Sequence, residues 1–433
     1  MTLMTSMYSG WSGLTASSTQ LSVIGDNIAN ANTIGFKGSR AVFQEALAQS
    51  MMGGGLGTGT GLQAIQRILS QGALIQTGVP TDLALSGDGY FLLNGKHNGV
   101  DGNFYTRAGQ FTVDKDGYLT NLEGLQVQGY LADPTGAVGG SINGLQVGDA
   151  SSPPVASTQA IMQGNLDSNA AVPAAAFDPL ALVPLDPNNP TDPAANYNSM
   201  QSIQVYDSLG NQHQVDVYFR KTAAGAWEYF AVTDGANLQG GTAGTPTQIM
   251  DGTLTFDANG NLTANTQNTN TFNPINATQP QTLDFNFAAN GNSQGLTQYA
   301  GASAMTFTSV DGNAAGTLAG VQVDGSGIVT GTFTNGQTRT LAQLAIAKFE
   351  ASDQLQRLAG NLYGETRLSG QANVGFAGTA GRGTVVADAL EQSNVDLAEE
   401  FINMIGAQRA FQANSKTIST ADQMLQELMT LKR

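Results

Sequence analysis

The sequence predicts a mainly β chain with outer domains that are nested and discontinuous, and paired N- and C-terminal α-helices that form a coiled-coil-like core. Three observations carry this reading. Apolar residues recur at 3/4 spacing at both ends of the chain. Between the ends, short alternating apolar runs are broken by Asp-Gly and other Gly-rich turns. Eight of the 13 prolines fall between Pro153 and Pro193, which sets a middle region apart.

The first helix shows in the positions of Met4, Met7, Trp11, Leu14, Leu21 and Ile28, with Ser18 and Gly25 at the skipped places. These steps put one apolar stripe along an amphipathic helix. Ser, Thr, Gly and Asn fill the rest, each costing a few tenths to ~1 kcal/mol against Ala. Such a helix is marginal alone in water. Its stripe needs a partner, either its own domain or a neighbouring subunit. The helical domain spans 1–32 and 393–433. "DNIANANTIGFK", Asp26 to Lys37, ends the first helix. Asn and Gly adopt left-handed backbone there at low cost. Asn27, Asn30, Asn32, Thr33, Gly35 and Phe36 therefore read as a junction. Its Asn side chains either touch a neighbouring subunit or cap exposed backbone of their own chain.

Residues 33–71 read as an extended connector. "GGGLGTGTG" within it fits no phosphate loop, having neither a Gly-Lys-Ser/Thr ending nor a GxGxxG frame. Residues 72–148 and 301–370 read as a first β domain split in two. Its turns fall at Asp116-Gly117 and Glu123-Gly124, between alternating runs. Residues 149–300 read as an inserted outer β domain with a turn at Leu209-Gly210-Asn211. Its Pro-rich loop, 173–193, cannot sit inside a sheet. Residues 371–392 read as a return connector. Asp396 and Glu399 then resemble a capping box. Leu397, Phe401, Met404, Phe411, Ile418, Leu425 and Met429 continue at helical spacing.

Charged residues make up only 12% of the 433, and the formal net charge is -16. That balance argues against nucleic acid, which needs clustered Lys and Arg, and against anionic lipid. No apolar run reaches about 18 residues, so no membrane insertion is expected. Nor does the N-terminus read as a cleaved secretory signal. The chain has no cysteine, which excludes disulfides and thiol chemistry. "DKDGYL" and "DANGNL" resemble half a calcium loop but lack its ligand spacing, and hairpin turns explain both. The only histidines, His97 and His213, sit in turn-rich segments with no metal-ligand spacing. No nucleophile elbow appears. No catalytic residue, cofactor or metal is expected, and the chain does not read as an enzyme.

"IGDNIANANTIGFK" and "SNVDLAEEFINMIGAQRAFQANSKTISTADQMLQEL" resemble the terminal signatures of the flagellar rod and hook protein family. "DLALSGDGYFLL" and "YTRAGQFTVDKDGYLTNLEGLQVQGY" are similar to its first β domain. "VYDSLGNQHQVDVYFRKTAAGAWEY" resembles the outer domain of the hook members, which the shorter distal rod proteins lack. The resemblance implies a subunit that polymerises with itself into a curved tube. That tube is a universal joint passing motor torque to the filament, with a central export channel. It implies a place on the flagellum at the cell surface and passage through the flagellar type III export apparatus. Rod protein below, a hook–filament junction protein above and a hook cap during assembly are its implied partners. "FQEAL" resembles an export-recognition element, with Phe43 and Leu47 as its apolar positions. A straight distal rod protein is the alternative reading, followed by an extracellular β-rich adhesin.

Overall fold

The computed structural model describes residues 3–47, 57–133, 135–186, 188–189, 192–270, 272–287 and 295–430, with side chains from 6 to 46 and 59 to 427 within those ranges. The fold is mostly β with one long helix at each end. The chain forms two compact units. The first comprises Met1–Ala150, Leu318–Thr332 and Thr338–Arg433, and the second Ser151–Thr317 and Phe333–Gln337.

In the first unit, helix α1 (Leu3–Ala29) lies against helix α2 (Leu397–Thr430). Asp396 caps α2 by accepting from Ala398 N at 2.7 Å, the role its sequence position predicts. The β part is organised on the strand Thr338–Lys348, buried along most of its length. Its near-continuous apolar run, "LAQLAIA", suits a strand covered on both faces. It pairs with Gln126–Ala132, Tyr90–His97 and Asn373–Phe376. Tyr90, Leu92, Tyr105, Phe349 and Tyr363 fill the core beside it, with the rings of Tyr105 and Phe349 edge to face at 4.8 Å.

Two stretches expected as connectors are strands. Within 33–71, β1 (Ser39–Leu47) and β2 (Gly57–Arg67) form an antiparallel hairpin in which Phe43 pairs with Leu62. The hairpin packs on α1, and Thr60 N donates to Ser12 Oγ at 3.2 Å. Glycine is required at this approach: Gly59 has φ 116°, and an added Cβ there would stand 1.9 Å from Ser12 Oγ. The Gly-rich run thus supplies a strand that can lie close to a helix. Within 371–392, Asn373–Phe376, Thr384–Ala387 and Ala389–Glu391 each pair with a distant strand. The partners of Thr384–Ala387 and Ala389–Glu391 lie hundreds of residues away, and that of Asn373–Phe376 is the strand Thr338–Lys348, so no hairpin signal marks any of the three.

The second unit holds a five-stranded antiparallel sheet, Ser199–Tyr206, Gln212–Ala223, Ala226–Asp234, Pro246–Phe256 and Leu262–Asn270. A smaller sheet is built on Gln159–Asn165. Trp227, Tyr229, Phe219, Phe285 and Phe287 fill the core between them. Residues 301–317, expected in the first β domain, belong here because Ala304–Val310 pairs with Gln159–Asn165. Among the described residues the Pro-rich loop holds no strand. Asn196 is buried and binds Ala181 O at 2.7 Å and Val183 N at 3.0 Å, while Phe177 stacks on Phe230 at 4.1 Å.

The turns between strands share one local device. Asp114, Asp207, Asp257 and Asp324 each accept two backbone N–H groups on Oδ1, from the second and fourth residues onward. A glycine with φ near 80° stands third in each: Gly117, Gly210, Gly260 and Gly327. In the two segments resembling calcium loops, the Oδ1 of Asp114 and of Asp257 is therefore taken up by amides, as Asx turns require.

Candidate assembly surface

Small and polar residues of α1, rather than its apolar stripe, meet α2, whose own stripe takes part only through residues such as Ile418. A Cβ added to Gly10 would come within 2.9 Å of Ile418 Cγ1, and one added to Gly13 within 2.5 Å of Asn414 Nδ2. Ser17, Ile24 and Asn27 are also buried on α1. Each of these five positions precedes by one the heptad series Trp11, Leu14, Ser18, Gly25 and Ile28. One residue is about 100° of rotation on a helix of 3.6 residues per turn. On α2 the covered series is Met404, Ala407, Asn414, Ile418, Ala421 and Leu425, with Ala407 and Ala421 fully buried.

The rotation leaves the large apolar side chains outside. Trp11 is 64% exposed, Phe401 51%, and Leu397 and Phe411 are exposed as well. Met7, Leu14, Leu21 and Ile28 are half-buried, like Met404, Ile418 and Leu425. The side chains of Met4, Leu47 and Met429 lie outside the described ones. Spacing alone missed Tyr8, Ile402 and Ile405, which are 60%, 70% and 52% exposed and widen the apolar face. Their signal is adjacency, since Ile402 follows Phe401 and Ile405 follows Met404. Asp26 is the sole charged residue of α1, so little desolvation opposes covering this face.

The junction residues are used mostly within their own chain. Asn27 donates to Ser39 O and to Glu400 Oε1, both at 2.8 Å, and accepts from Ser39 N at 2.9 Å. This buried carboxamide ties the end of α1 to the start of β1 and to α2. Asn30 donates to Asp26 O and accepts from Thr33 Oγ1. Asn32 is exposed. Gly35 has φ 69°, and a Cβ there would meet Ala108 N at 2.6 Å. Phe36 is buried beneath the Arg357 guanidinium, 4.8 Å from the ring centre. Asn27 and Asn30 thus both bond groups of their own chain.

Beside the junction lies an ionic cluster that no local pattern reveals. Glu391, with no exposed surface, receives Lys37 Nζ at 2.5 Å, Arg107 at 3.3 Å and Gly72 N at 2.9 Å. Lys37 also donates to Ser70 O at 2.8 Å. Burial pushes the Lys37 ammonium below the ordinary lysine range, against the pull of Glu391. Phe43 is half-buried on β1. His213 is buried against Asp207 at 3.0 Å, and His97 lies 2.9 Å from Glu123. Among the described residues no helix is long and apolar enough to cross a membrane.

Family models match in four places along the chain. Residues 7–37 match the flagella basal body rod protein model, and 84–149 the flagellar hook protein FlgE/F/G D1 domain. Residues 165–313 match the flagellar basal body protein FlaE D2 domain, and 386–431 the flagellar basal body rod FlgEFG protein C-terminal. The flagellar hook protein FlgE of Escherichia coli (strain K12) is 36% identical over 97% of this chain and 98% of its own. That of Salmonella typhimurium is 34% identical over 97% and 98%, and that of Borreliella burgdorferi 33% over 99% and 100%. Full-length similarity to hook proteins does not favour the distal rod alternative. The chain belongs to the flagellar hook protein FlgE family.

Proposed function

We propose that copies of this chain polymerise through the exposed apolar face of α1 and α2 into the curved tubular hook. In that tube the helices of neighbouring copies complete a coiled-coil-like core around a central export channel. The hook then works as a universal joint between motor and filament. Rod protein below, a hook–filament junction protein above and a hook cap during growth are its neighbours. The flagellar type III apparatus delivers the chain to the extracellular hook, with Phe43 and Leu47 as candidate recognition positions. Met4, Met7, Trp11, Leu14, Leu21, Ile28, Leu397, Phe401, Met404, Phe411, Ile418 and Leu425 are the packing set.

One observation carries this reading. Trp11, Phe401, Ile405 and Phe411 stay exposed on helices that already pair through other residues. Covering each such side chain contributes about 1.5–3 kcal/mol, so assembly can offset the ordering of a weak α1. Phe411→Asp in the full chain should abolish sedimentable polymer and swimming while leaving the β-rich circular dichroism spectrum unchanged. Normal hooks from that variant would overturn the reading.

A further inference from the structure

The strands Tyr90–His97 and Val100–Thr106 are joined by Asn98 and Gly99, with His97 paired to Val100. Asn98 has φ 50° and Gly99 φ 85°, the double left-handed backbone of a type I′ turn. Both residues are exposed, and nothing stands within 4 Å of a Cβ added to Gly99. The His97 ring beside them is fixed from two sides. Its Nδ1 lies 2.9 Å from Glu123 Oε2, and its edge packs on Phe104 at 5.6 Å. Glu123 in turn sits on a braced turn, where Asn121 Oδ1 accepts from Glu123 N at 3.1 Å and Leu125 N at 2.9 Å. The other ring nitrogen, Nε2, lies 3.0 Å from Asn98 Nδ2. Carboxylate, imidazole and carboxamide thus stand in a row, and the carboxamide precedes a glycine.

We propose that Asn98–Gly99 is a self-modification site, at which His97 acts as general acid in deamidation of Asn98 and Glu123 is its positioning residue. Gly99 N attacks Asn98 Cγ and loses its proton to water, so one C–N bond forms. The tetrahedral carbon then breaks its bond to Nδ2. In the amide, Nδ2 has no basic lone pair and can only donate. Nε2, which accepts from that amide, takes up from water the proton that Gly99 N releases; once the carbon is tetrahedral, Nδ2 is an amine and Nε2 hands the proton on to it. Ammonia leaves and a succinimide remains. Water opens that ring to aspartate or isoaspartate and His97 is left neutral as it began, so one water is consumed and one ammonia released. Glu123, by accepting from Nδ1–H, keeps Nε2 turned toward the leaving nitrogen. Each event adds a negative charge at the hairpin tip, and the isoaspartate form lengthens the turn by one methylene.

Other Asn-Gly pairs provide internal controls. Asn259–Gly260 is also a turn, with Asn259 exposed but Gly260 buried and its N–H donating to Asp257 O, and no histidine contact is among the hydrogen bonds of Asn259. Asn335 is bound to Ser152 Oγ and Ala314 O. Asn94 and Asn143 lie within strands.

The test is peptide mass spectrometry on the full-length chain held at neutral pH, following the gain of one mass unit at Asn98 and at Asn259. Wild-type Asn98 should convert roughly a hundredfold faster than Asn259 or more, at the low end of what a positioned general acid supplies. His97→Gln should slow Asn98 roughly a hundredfold relative to wild type, with an unchanged melting temperature. Glu123→Gln should slow Asn98 part-way and Glu123→Asp should recover some of that loss, with Asn259 unmoved throughout. Equal rates at the two sites in wild type, or a His97→Gln rate as fast as wild type, would overturn the proposal.

Discussion

The Asn414 side chain occupies the space a side chain at residue 13 would fill: Nδ2, Cγ and Oδ1 all lie within 2.8 Å of a Cβ added to Gly13. A half-buried polar side chain seated in a glycine notch fixes the axial register of α1 on α2, as a single polar position does in coiled coils. The expected effect of Gly13→Val is loss of assembly. Asn414→Ala should restore part of it in the same chain by emptying the notch. A swap that fails to restore polymer, measured by sedimentation, would leave the register unexplained by this contact.

Trp11 and Trp227 are the only tryptophans, and their environments are opposite: Trp11 is 64% exposed and Trp227 1%. In a Trp227→Phe variant the remaining emission reports the apolar face of α1. It should shift to the blue as polymer forms. Unchanged emission on assembly would place Trp11 outside the subunit contact.

Glu391→Gln leaves Lys37 and Arg107 buried without their carboxylate. Removing one partner of a buried ionic cluster typically costs about 3–5 kcal/mol. The expected outcome is a lower melting temperature for the first unit in calorimetry, with the second unit unaffected. A melting profile identical to wild type would show that the cluster adds nothing to stability.

The Asp207 carboxylate is buried, which by itself would raise its pKa. Bonds from His213, Asn211 and the backbone N–H of Asn211 and Leu209 outweigh that and hold it below the usual carboxylate range. Its folded value lies under its unfolded one. The stability it contributes is therefore present above about pH 4 and lost as pH falls through the folded value. Asp207→Asn should lower the stability of the second unit by about 1.5–3 kcal/mol at neutral pH, as expected for losing hydrogen bonds to a buried carboxylate, and flatten its acid dependence. Trp227 fluorescence in a Trp11→Phe chain reads both. An acid transition as steep as wild type would mean that other carboxylates set it.

Much of this architecture was legible because its causes are local. The Asp-x-x-Gly turns follow from a carboxylate reaching amides two and four residues on, so Asp114 to Tyr118 and Asp257 to Asn261 mark hairpins wherever they occur. The 3/4 series at both ends marks helices for the same reason. The hairpin of β1 and β2 was hidden because its Gly-rich strand has little side-chain periodicity of its own and gains its place from Ser12 on α1. The strand Thr384–Ala387 was hidden because its partner, Leu83–Ser86, lies at the other end of the chain. Lys37 and Glu391 are 354 residues apart, and neither position carries any mark of the other.

Two helices, a β-rich middle and the residues able to form an apolar surface were fixed by chemistry acting over four residues or fewer. Which surface each helix turns toward its own partner was not. The spacing marks Trp11, Phe401 and Phe411 as a stripe, but glycine at positions 10 and 13 lets Ile418 and Asn414 approach on the neighbouring face. Close backbone approach there, together with Asn27 bound to Ser39 and Glu400, turns the stripe outward. That choice depends on the shape of a surface more than 370 residues distant in the chain, so it exists only once both helices are folded side by side.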